Sequence, residues 1–152
     1  MTDETLAAGG CLCGGVRFEA AGEPRHVSYC HCRMCQKATG GAFSVMAGFR
    51  RERVRWHGER TERRSSPLAV RGFCSACGTP LSFQYDDSPW VSISVGAFDE
   101  PAPLVPREHG GVESRLPWAD AGAGLPTERC DDDPDYARLR EETGWTPPFD
   151  SD

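Results

Sequence analysis

The chain has 152 residues, a formal net charge of −6 and a mean hydropathy of −0.52, with 38% of its residues hydrophobic. That size points to one domain with a modest core, since a second domain needs on the order of 100 further residues. The acidic balance disfavours nucleic acid as a partner, and no run approaches the roughly 18 to 20 apolar residues of a membrane helix.

Met1 to Thr5 lack the basic and apolar regions of a signal peptide, so the expected compartment is the cytoplasm. Cytosolic thiols stay reduced. Eight cysteines in that setting argue for metal binding or catalysis rather than a disulfide framework.

Residues 1–8 read as a disordered lead, with structure beginning at Gly9 and Gly10. Val16 and Phe18 alternate with Arg17 and Glu19, a period of two that predicts a half-buried strand. The pattern recurs from Phe43 to Phe49, Val54 to Trp56, Leu81 to Tyr85 and Trp90 to Val95, each stretch bounded by Gly, Pro, Asp or Ser. Five short strands with little helical periodicity indicate a mainly β fold. Met34 to Ala38 predicts one helical turn, stopped at Gly40 and Gly41. Asp133 as N-cap, Pro134 at the first helical position and Gly144 beyond the end predict a short C-terminal helix, with Tyr136 and Leu139 on one packing face. The stretch from Pro101 to Pro126 holds five prolines and reads as an extended, ordered wrap.

Charge is unevenly placed. Lys37 is the only lysine, and Arg50 to Arg64 carries seven arginines against three glutamates, which reads as a solvated face rather than an anion-binding patch. From Ala119 onward ten acids face three arginines, which disfavours a nucleic-acid surface there.

Seven of the eight cysteines fall into three groups: Cys11 with Cys13, Cys30 with Cys32 and Cys35, and Cys74 with Cys77. Zinc takes four thiolate or imidazole ligands in a tetrahedron, and a C-x-x-C turn supplies two from one chain reversal. Gly14 and Gly78, each directly after a pair, free the backbone to turn tightly. Counting ligands joins Cys11, Cys13, Cys74 and Cys77 into one closed structural site, whose binding energy would support a modest core. The trio Cys30, Cys32 and Cys35 is one short of closure. Three protein ligands with an open fourth position is the usual build of a catalytic zinc; recruitment of Cys130 or His109 would instead close it as a second structural site. His31, between two ligands in an extended segment, points away from them as a spacer or a donor behind them. Cys130 reads as a spare thiol, and His26 and His57 as surface or core residues.

The order C-x-C-G-G-V, then C-H-C-x-x-C-Q-K followed by Gly40, Gly41 and Phe43, then F-C-x-x-C-G-T-x-L resembles the glutathione-dependent formaldehyde-activating enzyme family, also called the centromere protein V-like family. Val95 to Asp99, Arg107 to His109, Ser114 to Trp118, Asp120, Leu125 and Pro126 are similar to that family's later blocks. The resemblance covers roughly residues 9 to 127. It implies an Mss4-like β-tent of small antiparallel sheets organised around zinc. It also implies a structural zinc on Cys11, Cys13, Cys74 and Cys77, and a second, catalytic zinc on Cys30, Cys32 and Cys35.

The implied activity is that of a carbon-sulfur lyase and S-hydroxymethylglutathione synthase, joining glutathione or a similar small thiol to a small aldehyde such as formaldehyde. His109 is the expected proton donor to the developing alkoxide, because imidazole titrates near neutrality. Arg33 and Lys37 lie close enough in sequence to temper the charge of three thiolates, although solvation alone accounts for both. The implied division is a lead over residues 1–8, a zinc-binding domain over 9–130 and an acidic extension with a short helix over 131–152. Gly110 and Gly111 stand where many family members carry bulkier residues, which alters the pocket wall. The alternative function is a non-catalytic zinc module that docks a protein partner on the Arg50 to Arg64 face.

Overall fold

The structure is a computed structural model that describes residues 6–148. Ten strands and two helices run in the order β1 Leu6–Gly10, β2 Arg17–Ala21, β3 His26–Cys30, α1 Arg33–Thr39, β4 Ser44–Arg50, β5 Val54–His57, β6 Thr61–Ser66, β7 Ala69–Phe73, β8 Pro80–Tyr85, β9 Trp90–Ser94, β10 Glu108–Gly110 and α2 Pro134–Thr143. The chain divides into two units, Met1–Ala119 with every strand and α1, and Asp120–Asp152 with α2.

The first unit is mainly β, with a three-stranded sheet in the order β1-β2-β5 and a seven-stranded sheet in the order β10-β3-β4-β9-β8-β7-β6. Alternation sets which face each strand buries. In β2, Phe18 and Ala20 are buried between half-exposed Arg17 and Glu19, and in β9 the buried pair is Val91 and Ile93. Interior β4 buries Met46 to Phe49 without alternation, as expected of a strand covered on both faces. The core gathers Phe18 and Ala20 of the small sheet with Ala47, Phe49, Leu81 and Ile93 of the large one. Phe18 meets Phe98 edge-on at 4.9 Å and Trp56 at 5.2 Å. Burying one such ring contributes roughly 1.5–3 kcal/mol.

The mainly β, Mss4-like fold expected from the resemblance is present, with unequal sheets. Every strand pair is antiparallel except β10 with β3, which is parallel. The sequence reading expects five strands where the described residues hold ten, with β1, β3, β6, β7 and β10 unread, and three details are corrected. Leu6–Ala8 belong to β1 rather than to a disordered lead, because this segment pairs residue by residue with β2; Met1–Thr5 of that lead lie outside the described residues. The proline-rich wrap contains strand β10 and a single turn at Val112–Ser114, since Arg107 N donates to Val27 O at 2.9 Å and starts the pairing with β3. In α2, Tyr136 packs edge-on against Trp145 at 6.5 Å, while Leu139 stays exposed. The caps of α2 are as read: Asp133 Oδ1 accepts from Asp135 N at 2.9 Å, and Gly144 closes the helix. Among the described residues no helix is long and apolar enough to cross a membrane.

Candidate metal centres

Two hairpin loops bring four thiols together. Cys11 and Cys13 lie between β1 and β2, where Cys11 N donates to Val16 O at 2.9 Å and Gly14 N to Cys11 O at 3.0 Å. Cys74 and Cys77 lie between β7 and β8, where Gly78 N donates to Cys74 O at 2.8 Å. Gly14 and Gly78 adopt φ of 78° and 80°, the left-handed turn that the glycine after each pair permits. Thr79 links the loops: its Oγ1 accepts from Leu12 N at 3.0 Å and lies 3.2 Å from Cys77 Sγ.

The four sulfurs lie within 4.8 Å of one another, with Cys11 to Cys13 at 3.5 Å and Cys13 to Cys74 at 3.8 Å. A tetrahedron with Zn–S near 2.3 Å has sulfur-sulfur edges of about 3.8 Å, so this donor set fits zinc.

The trio is built around the end of β3. Cys30 is the last residue of that strand, Cys32 caps α1 with its Sγ accepting from Cys35 N at 3.3 Å, and Cys35 is buried in the first turn. These three sulfurs also lie within 4.8 Å of one another, and among the described residues no further Cys, His, Asp or Glu joins them. Cys130 is exposed in the second unit, on a turn over Cys130–Asp132. His109 is held elsewhere: its ring stacks on Tyr29 at 4.8 Å, and its Nδ1 lies 2.9 Å from Nε2 of buried His31. Of the other two histidines, His26 packs its ring against Gly48, and exposed His57 lies 3.3 Å from Glu19.

The thiols share protons unevenly within each group. Thr79 hydrogen bonds bring Cys77 down to about 5. The Gly15 amide is the strongest single influence on Cys13 and favours its thiolate, yet the neighbouring thiols of Cys11, Cys77 and Cys74 together push it up to about 11. In the trio, burial and the adjacent thiols push Cys30 up to about 12. Burial opposes the Cys35 thiolate, yet Cys35 is held below its ordinary value because the neighbouring Ser44, Arg71, Cys32 and Cys30 favour its charged form. Complete deprotonation of either group therefore calls for positive charge at its centre, which is what a divalent cation supplies.

The structure adds four residues around the trio, of which the sequence reading had named Gly111 only as a change in the pocket wall and carried Gln36 only inside its motif. Arg71 of β7 donates from Nη2 to Cys35 Sγ at 3.5 Å, and nothing in the one-dimensional order connects β7 with α1. Buried Gln36 donates to His31 O at 2.8 Å and to Ser114 O at 3.0 Å, and its Oε1 accepts from Arg33. Ser44 is buried opposite Cys30 in the β3-β4 register. Gly111 presses its backbone against Cys32. The helical position of Gln36, directly after a buried Cys35, was the one signal available.

The fold and the two thiol groups define a class of small β proteins whose cysteine clusters fit zinc. The model of the family described as glutathione-dependent formaldehyde-activating enzyme matches residues 6–113, and the chain belongs to that family. A protein of Schizosaccharomyces pombe described as an uncharacterized lyase is 32% identical over 77 residues, covering 51% of this chain and 56% of the relative. The chain thus spans little more than half the length of that curated relative. A crystal structure of a Rhodobacter sphaeroides protein shares the fold, with a TM-score of 0.54 at 22% identity over 67% of this chain and 98% of that one.

Proposed function

We propose that this chain is a zinc-dependent carbon-sulfur lyase that also works in the synthetic direction, joining a glutathione-like thiol to a small aldehyde such as formaldehyde. The observation that carries the reading is the trio: three thiols within reach of one ion, without a fourth protein donor among the described residues. In synthesis the thiol sulfur bonds to the carbonyl carbon and the carbonyl electron pair moves onto oxygen. The proton lost by the thiol ends on that oxygen, so no redox partner and no water are consumed.

Cys30, Cys32 and Cys35 hold the catalytic zinc in this reading, and Cys11, Cys13, Cys74 and Cys77 hold the structural one. Bound at the trio, zinc supplies Lewis-acid polarisation and lowers the pKa of a bound thiol. Arg71, at Cys35, offsets the formal negative charge that three thiolates leave around a divalent ion. His109, tethered through Nδ1 to His31, donates the proton to the developing alkoxide from Nε2. The thiol and the aldehyde are the partners, and the first unit, which holds both thiol groups, does the chemistry in the cytoplasm. The protein-docking alternative is weakened because Arg50, Arg60 and Arg64 of the basic run are engaged by Trp90, Trp56 and Asp86.

Graded chelation tests the reading. The expected result is two zinc ions per chain, one removed by a mild chelator with loss of thiol-aldehyde exchange while the fold persists. Loss of both ions together, with unfolding, would place the trio in a closed site and overturn the proposal.

A further inference from the structure

Arg63 of β6 and Arg71 of β7 stand directly opposite each other in the antiparallel register. Like charges so placed repel, since directly opposed side chains leave their strands about 5 Å apart. Neither arginine is ion-paired among the described residues, whereas the adjacent Arg64 is held by Asp86 at 2.9 Å. The guanidinium of Arg71 is fixed over the Phe83 ring at 4.9 Å and reaches Cys35 Sγ at 3.5 Å.

Two cavities share Arg71. One, of about 290 Å³, is lined by both arginines over an apolar floor that includes Met46, Phe73 and Pro80. The other, of about 380 Å³, shares Arg71 and Ser65 with the first and adds Arg33 and Lys37 of α1. Four cations and no acid line the two cavities, in a chain of net charge −6. With Arg71 turned to Cys35 and Arg63 given no carboxylate among the described residues, the cross-strand repulsion is the local inconsistency expected where a ligand completes the electrostatics.

We propose that Arg63 and Arg71, with Lys37, form an anion subsite that binds a carboxylate of the thiol co-substrate and aims its sulfur at Cys30, Cys32 and Cys35. This rests on the thiol-aldehyde reading and assigns the residues that choose the thiol. The space exceeds what a small aldehyde fills, so the thiol is its occupant. Arg63, on the exposed edge strand, acts as a positioning residue away from the trio, and Arg71 joins the subsite to Cys35. Arg63, one arginine of the basic Arg50 to Arg64 run, thereby gains a role beyond solvation.

The test is calorimetric titration of zinc-loaded protein with S-methylglutathione, whose capped sulfur cannot add to an aldehyde, and with its diethyl ester, which lacks both carboxylates. Wild type should bind the acid at least about tenfold tighter than the ester, the scale of one charged hydrogen bond. Arg63→Gln and Lys37→Gln should each weaken the acid about tenfold and leave the ester unchanged. Arg63→Gln should also melt no lower than wild type, because a repulsion is relieved. Equal affinity of wild type for acid and ester, or equal affinity of all three proteins for the acid, would overturn the subsite. Exchange activity separates the two proposals: discrimination without exchange leaves the subsite standing and the activity refuted, and exchange without discrimination does the reverse.

Discussion

Gly111 turns at φ 60° so close to Cys32 that a Cβ there would lie 2.7 Å from the Cys32 amide nitrogen. Gly111 is thus a packing requirement of this chain's trio. His31 N donates to Gly110 O at 2.9 Å in the same crossing, so β10 seats the loop that carries Cys30 and Cys32. Gly111→Ala should cost about 1–3 kcal/mol through strain and the clash. It should lower the metal content of the trio while the four-thiol site stays loaded. Thermal melting together with zinc stoichiometry checks both parts.

The four-thiol site joins a hairpin of the small sheet to a hairpin of the large one, so its loss should be felt by the whole first unit. Structural zinc contributes on the order of 10 kcal/mol or more to folding in small domains. Cys77→Ser should therefore leave the unit unfolded or with a melting point far below wild type, read by circular dichroism. Cys32→Ser should keep the fold and lose a single zinc. A Cys77→Ser protein that melts like wild type would refute the structural assignment.

His109 offers a separate test, because its contacts are with Tyr29 and His31 rather than with a thiol. His109→Gln should keep both metals and lower the exchange rate about 100-fold, the smaller end of what a positioned general acid contributes. An unchanged rate would assign His109 to packing.

Arg17 and Asp99 tie β2 to the turn after β9 through two hydrogen bonds, of 2.9 and 2.5 Å. The guanidinium holds the Asp99 carboxyl below its ordinary value. A depressed carboxyl stabilises the fold above its unfolded pKa, and that contribution fades as pH falls through the folded one. Between pH 5 and 8 Asp99 therefore stays ionised, and Asp99→Asn should cost a constant amount. Since both side chains are about 40% exposed, screening limits the loss to about 1 kcal/mol or less. Denaturant melts across that window, repeated at high salt where the gap should shrink, check the sign and the size.

How much of this was legible in the sequence follows from what each residue packs against. Strands with one buried face announce themselves by alternation, as β2 and β9 do. Of the strands that periodicity passed over, β1, β6 and β10 lie at sheet edges and bury little, β6 reading Thr-Glu-Arg-Arg-Ser-Ser, while interior β3 and β7 show no alternating burial. The partition of seven cysteines into four and three was readable because ligand count and spacing are one-dimensional facts. Arg71, Gln36 and Gly111 reach the trio only through tertiary contacts, from β7, from the inner face of α1 and from the residue after β10. His31 could be read as turned from the metal by strand alternation, yet its partner, 78 residues away, could not.

The most direct measurement is NMR exchange spectroscopy of formaldehyde with glutathione, comparing zinc-loaded wild type, Cys32→Ser and buffer alone. The account predicts exchange above the spontaneous rate with wild type and background exchange with Cys32→Ser, at equal folding. Exchange at the background rate in wild type, or undiminished exchange in Cys32→Ser, would contradict it.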